Sequence, residues 1–363
     1  MISAVQFGVL VACVVLFIPM GMAGWHLSRN KMLFFGGVLF ITLAVGVHIT
    51  PYFPVVYDLI SSYSSVVILE NRDSCLSLLH DIIWRDKHSN LNELWVNSSS
   101  SDMYWKWEES NPVNQCGFQK LGRSDASDLL NGSWIMVAGD SHARLFTLSL
   151  LNLVLDSSEM KNVRVDLFKR HSDYQLVVEE NGLKLDYIWA PYASNLTSML
   201  KNFENKHIYP DVLVLSSGMW HMLHYTNASD YGVSLGMVRK SVVSLVPISP
   251  EFGSKGSITG SVRFESPNMF WLGMPTLINS LLNTEEKKEK MSGSMCEAYD
   301  RELTESKLLH QSSGPLMLLD VKSLSQNCGS HCTADGMHYQ GVVYEAAVQI
   351  MLNTLIIESQ QQI

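Results

Sequence analysis

The stretch Trp134-Ile-Met-Val-Ala-Gly-Asp-Ser-His-Ala-Arg144 decides how the chain is read. A short, unbroken apolar run, Trp134–Ala138, fits a strand covered on both faces. Gly139 supplies a permissive backbone for a tight turn, and Asp140 and Ser141 are residue types that cap a helix start. The pattern then switches to an amphipathic helix over His142–Leu155.

The same alternation recurs downstream. Further strands are expected at Val163–Phe168, Lys184–Ala190, Asp211–Ser216, Met269–Leu272 and Leu316–Val321. Helices are expected at Leu196–Asn205, Tyr231–Leu245 and Gln340–Ile357. Alternating βα units imply an α/β fold, a three-layer αβα sandwich with a mostly parallel sheet. Glu251–Ser257 and Glu285–Lys290 read as solvated loops.

Upstream the pattern changes. Residues 58–130 read as an irregular, aromatic extension packed on a catalytic domain at 131–363. Residues 1–57 read as a membrane anchor with two apolar spans, 4–24 and 32–52. The first is long enough to cross a hydrocarbon core of roughly 30 Å as a helix. Arg29 and Lys31 lie between the spans, and the positive-inside tendency places that loop in the cytoplasm and the domain in the lumen. If only the second run spans, the domain is still lumenal. A cleaved signal peptide ranks lower, because Met1-Ile2-Ser3 lacks a basic side chain.

Composition agrees with this placement. Of 363 residues, 47% are hydrophobic and 17% charged, with a net charge of -9. No basic stripe exists to neutralise phosphates, which excludes a nucleic-acid partner. Asn-x-Ser/Thr glycosylation triplets stand at Asn97, Asn131, Asn195 and Asn227, all after the apolar region. Of six cysteines, five follow the spans, enough for two disulfides and one free thiol in an oxidising compartment.

In open parallel sheets, ligands bind beyond the carboxyl ends of the strands. Ser141 follows the first expected strand at a helix N-terminus, where the dipole favours a developing oxyanion. Read alone, Asp140-Ser141 is equally an ordinary N-cap. Gly218, in Ser216-Ser-Gly-Met-Trp-His221, frees a backbone N–H to act as a second oxyanion donor, although a turn glycine would look the same. Asp335 and His338 share the loop Cys328-Gly-Ser-His-Cys-Thr-Ala-Asp-Gly-Met-His338. Three apart, they can lie side by side as orienter and general base. Cys328, His331, Cys332 and His338 also admit a zinc reading. In a lumen a disulfide is the commoner fate of such cysteines, so no metal is expected. His142, His221 and His331 are read as bystanders.

Taken together, Gly139-Asp140-Ser141 and Asp335-x-x-His338 resemble the first and last blocks of the SGNH/GDSL hydrolase superfamily. Asp140-Ser141-x-x-Arg144, with Trp220 two positions after Gly218, is similar to its carbohydrate O-acetylation (PC-esterase-like) branch. That branch includes plant trichome-birefringence-like acetyltransferases and the lumenal domain of sialate O-acetyltransferase. The resemblance covers roughly residues 70–357. It implies Ser141 as nucleophile, His338 as base, Asp335 as orienter, and the N–H groups of Ser141 and Gly218 as oxyanion hole. The usual Gly-x-Asn-Asp block is absent, with Trp220 and His221 standing where Asn and Asp would fall. Arg144, one turn after Ser141, is the candidate third donor, with a structural pairing to Asp140 or another acid as the competing reading.

The resemblance further implies a Golgi membrane protein that acetylates cell-wall polysaccharides such as xyloglucan and xylan, with weak acetylesterase activity. No bound cofactor is expected. The acetyl donor is a substrate, derived indirectly from cytosolic acetyl-CoA. Because two short spans offer no conduit for acetyl, a separate multi-span partner of the "reduced wall acetylation" type is expected. A non-catalytic adaptor or a lumenal carboxylesterase is the alternative.

Overall fold

The computed structural model describes residues 74–86, 103–206, 208–245 and 267–359. The two expected spans, the sequon at Asn97 and the loop 251–257 lie outside them. The chain divides into Met1–Asp73 and Ser74–Ile363, and the described residues all belong to the second unit.

This unit opens with β1 (Ile82–Asp86) and β2 (Met103–Trp107), an antiparallel pair. Helices α1 (Asn111–Cys116) and α2 (Arg123–Leu129) follow, and a disulfide joins Cys75 to Cys116. The stretch read as irregular therefore carries regular elements. Its link to the rest is specific. Buried Gln349 hydrogen-bonds both the N–H and the C=O of Leu121, at 2.8 Å each. Asn353 does the same for Gln119, at 3.0 and 2.8 Å.

The main body then runs β3 (Trp134–Gly139), α3 (Ser141–Val154), α4 (Glu159–Leu167), β4 (Tyr174–Val178), β5 (Leu183–Trp189) and α5 (Ala193–Lys206). It continues with β6 (Val212–Leu215), α6 (Met219–His224), α7 (Ala228–Leu245), β7 (Asn268–Leu272), α8 (Glu285–Lys290) and α9 (Gly293–Glu305). It ends with β8 (Met317–Leu319), α10 (Val321–Cys328) and α11 (Gly341–Ser359). The six-stranded sheet has the order β4-β5-β3-β6-β7-β8. Every pairing is parallel except β4 with β5. The order reverses at β3 and β6, and a crevice opens beyond their carboxyl ends at such a switch point.

Side chains alternate across this sheet, as a pleat requires. Ile135 and Val137 of β3 face the layer containing α3 and α11, whereas Met136 and Ala138 face α5 and α7. Both faces are thus covered, which explains why the strands read as unbroken apolar runs. Helix α11 is apolar and long enough to cross a membrane by composition. Here it packs against α3, with Val343, Tyr344, Ala347 and Met351 buried in the core.

Two further sequence expectations are corrected. Val163–Phe168 is not a strand but lies largely in α4. Val163, Val165 and Leu167 do alternate with polar residues, which mimics period two. The buried set is nevertheless Met160, Val163 and Leu167, at helical spacing, and Val165 is 70% exposed. The strand of that region is Tyr174–Val178, the antiparallel edge. Glu285–Lys290 is not a loop but helix α8. Thr284 caps it, glutamates fill its first turn and lysines its last, the arrangement that a helix dipole favours.

Candidate active site

Ser141 is the first residue of α3, reached from β3 through Gly139 and Asp140. A Cβ on Gly139 would sit 2.8 Å from that of Ala143 and 2.9 Å from that of Ser216, so this turn needs glycine for closeness. The Asp140 carboxylate accepts from the His142 N–H at 3.0 Å and caps the helix.

His338 Nε2 lies 2.8 Å from Ser141 Oγ, and His338 Nδ1 lies 2.7 Å from Asp335 Oδ2. The three side chains expected from the sequence therefore meet in one hydrogen-bonded row. With the Nδ1 proton directed at Asp335, Nε2 is left to accept from the serine hydroxyl. The other oxygen of Asp335 accepts from the N–H groups of Met337 and His338 at 3.0 and 2.7 Å. Partial burial pushes the Asp335 carboxyl up, but the bonds from the His338 ring and these two N–H groups outweigh it and hold it at about 2. Asp335 is therefore an anion throughout the working range.

The turn carrying Asp335 and His338 is pinned on several sides. Thr333 Oγ1 donates to the His338 carbonyl at 2.9 Å and accepts from the Gly336 N–H at 3.1 Å. Gly336 has φ +74, and a Cβ there would lie 2.4 Å from the Ile278 carbonyl oxygen. Just upstream, Cys328 and Cys332 form a disulfide, which removes both thiolates from the zinc alternative.

Gly218 follows β6 with φ +133, and Met274 Sδ would lie 2.5 Å from an added Cβ. Neither the backbone nor the space admits a side chain here. Trp220, two residues on, packs edge-to-face with Trp189 at a centroid distance of 5.3 Å. Arg144 is buried, its guanidinium 5.0 Å from the ring centroid of Trp189 and 5.3 Å from that of Tyr187. It forms no ion pair with Asp140 among the described residues, and its Nε and Nη2 meet no acceptor there.

His142, read as a bystander from the sequence, is 1% exposed, and its ring stacks on that of His338, a contact the sequence reading did not foresee. Its Nδ1 meets the Tyr344 hydroxyl and its Nε2 lies 3.0 Å from Met219 Sδ. Burial, and then the neighbouring His338, push its pKa well below the ordinary value. Burial pushes Asp140 the other way, up to about 6. The only sequence signal was adjacency to Ser141. His221 is buried as well, bonded to the Tyr299 hydroxyl at 2.7 Å and to Asp230 at 3.2 Å. Of the glycosylation triplets, Asn131, Asn195 and Asn227 are exposed.

No family model matches the chain. Among solved structures it is similar to TesA, at 14% identity and TM-score 0.31, over 63% of this chain and 98% of that one. It is also similar to a catalytic mutant of Axe2, an acetylxylan esterase from Geobacillus stearothermophilus, at 10% identity and TM-score 0.36, over 65% and 96%. At scores this low the fold rests on the sheet topology given above. The sequence relationship is of another order. The curated Protein ALTERED XYLOGLUCAN 9 of Arabidopsis thaliana is 53% identical over 371 aligned residues, covering 100% of both chains. With identity of that level sustained from end to end, the chain belongs to the ALTERED XYLOGLUCAN 9 family.

Proposed function

We propose that the protein is a serine-dependent O-acetyltransferase that acts in polysaccharide acetylation through an acetyl-enzyme. The observation that carries this reading is the row from Ser141 Oγ through His338 to Asp335, at 2.8 and 2.7 Å. The family name points to xyloglucan as the polysaccharide class.

In the first half-reaction, His338 Nε2 takes the Ser141 proton as Oγ attacks the acetyl carbonyl. The carbonyl oxygen becomes an oxyanion facing the N–H groups of Ser141 and Gly218, in the place where a helix N-terminus leaves donors unpaired. The imidazolium is stabilised by ionised Asp335 and returns its proton to the leaving group. In the second half-reaction, a sugar hydroxyl gives its proton to His338 as its oxygen attacks the acetyl carbon, and His338 then returns that proton to Ser141 Oγ as the Oγ–acetyl bond breaks. Water in place of the sugar gives acetylesterase turnover.

This reading places the domain in the Golgi lumen behind the anchor at residues 1–57. A multi-span partner of the "reduced wall acetylation" type delivers acetyl across the membrane. The N-terminal hairpin is the docking element for that partner, so exchanging it for an unrelated anchor abolishes acetylation in cells. The central test is chemical. The full chain is incubated with a labelled acetyl donor, quenched in acid and digested. Label on the Ser141 peptide, absent from Ser141→Ala, supports the proposal. Full restoration of wall acetylation by Ser141→Ala in a plant lacking the protein would show a non-catalytic adaptor instead.

A further inference from the structure

Beside the triad lies a row of aromatic rings that the acyl-transfer chemistry does not use. His171 stacks on Trp189 at 4.8 Å, and Trp189 meets Trp220 edge-to-face at 5.3 Å. Trp220 contacts His224 at 5.0 Å and Tyr192 at 6.3 Å, and Tyr192 meets Tyr225 at 5.6 Å. The row starts at the catalytic edge of the sheet. Trp189 is the last residue of β5 and pairs with Gly139, two residues before Ser141. It ends at Tyr225, which is 61% exposed.

Solvation alone does not explain why these rings are held in place. Tyr225 is stacked on His221 at 5.0 Å, and that buried ring is fixed through both nitrogens by Tyr299 and Asp230. One face of Tyr225 is thereby backed by a rigid support. An exposed aromatic fixed in this way presents apolar area without an ordering cost on binding.

We infer that this row is an acceptor-binding strip on which a neutral glycan chain stacks, leading a sugar hydroxyl to Ser141. Pyranose rings have apolar C–H faces that lie on aromatic rings, and hydroxyl rims that meet Tyr and His edges. Each ring in the row carries a polar edge that can meet a sugar hydroxyl. The inference rests on the acetyl-transfer reading and sharpens it: the chain itself holds the polysaccharide, instead of passing acetyl only to another protein.

The test uses the full chain in detergent, freed of N-glycans so that sugars on Asn195 or Asn227 do not occupy the rings. Migration is followed in native gels containing soluble xyloglucan. The same samples are labelled at Ser141 with a fluorophosphonate. Retardation of the wild type is expected. Tyr225→Ala and Tyr192→Ala should weaken it about tenfold, a magnitude typical of one lost aromatic contact. Tyr225→Phe, which keeps the ring, should leave it within about twofold, and Ser141 labelling should be the same in all four proteins. Absence of retardation in labelled wild type, or equal retardation of Tyr225→Ala, overturns the strip while leaving the acetyl-enzyme reading intact. Loss of labelling in a retarded wild type does the reverse.

Discussion

The imidazoles of His142 and His338 lie nearly parallel, 5.8 Å apart and inclined by 19°. The base of the triad thus rests on a second histidine that is buried and held neutral. A base whose folded pKa is depressed contributes stability above its unfolded pKa of about 6.5, and loses it as pH falls below that value. The melting temperature should therefore drop between pH 7 and pH 5. His142→Phe keeps a flat ring under His338 and should show a smaller drop. Identical acid slopes in both proteins would mean that His142 ionises freely in the fold.

Asp140 acts in the opposite sense. Burial raises its carboxyl from 3.8 to about 6, so its contribution is full below pH 3.8 and is lost as pH rises through 6. Asp140→Asn retains an acceptor for the His142 N–H without the buried charge. At pH 7.5 the variant should be more stable, by at most on the order of 3 kcal/mol. The difference should close as pH falls through 6. Denaturant midpoints across that range provide the check.

Removing triad members should leave the fold and abolish the chemistry. Ser141→Ala and Asp335→Asn should each lower kcat/KM for a simple acetyl ester by about 10⁴ or more; Ser141→Ala should melt like wild type at pH 7, whereas Asp335→Asn, which loses a carboxylate stabilised by the turn, should melt lower. Because Asp335 is held at about 2, it stays ionised through mild acid. An acid limb in the rate above pH 4 belongs to another group.

Gly218→Ala should cost roughly 1–3 kcal/mol through its backbone angle alone, and it moves the N–H assigned to the oxyanion. Met274→Ala removes the 2.5 Å clash but not the φ penalty. The double variant should thus recover little of either stability or kcat, which melts and single-turnover rates report directly.

Gln349→Leu should strip Leu121 of both partners and cost roughly 2–4 kcal/mol. Acyl-ester turnover at low denaturant should be unaffected, since Gln349 lies away from the triad. A variant as stable as wild type would show that water replaces the amide.

Much of this was legible in the sequence because one interaction dominates each stretch. The strands β3 and β6 bury both faces, so composition alone marks them. Ser141 opens α3 directly after β3, and Asp335 and His338 share one turn between α10 and α11, so near neighbours in the chain mark them. Val163–Phe168 misled because its apolar residues satisfy two periods at once, and only the helix that buries Leu167 and exposes Val165 decides between them. His142 and Trp189 were not identifiable because their ring neighbours, His338 and Trp220, come from distant segments. A ring stack between residues 142 and 338 leaves no trace in spacing.

The turn at Thr333–His338 holds two of the three triad groups within four residues, and its internal bonds from Thr333 and Asp335 set their mutual distance. Asp335 and His338 therefore move as one cassette, while Ser141 belongs to the start of α3. If the proposed chemistry holds, turnover requires that cassette to be seated, and local opening where Ile278 N–H bonds the Gly336 carbonyl would stop it with the core still folded. Proteolytic nicking between α10 and α11 would be inactivating long before the protein melts.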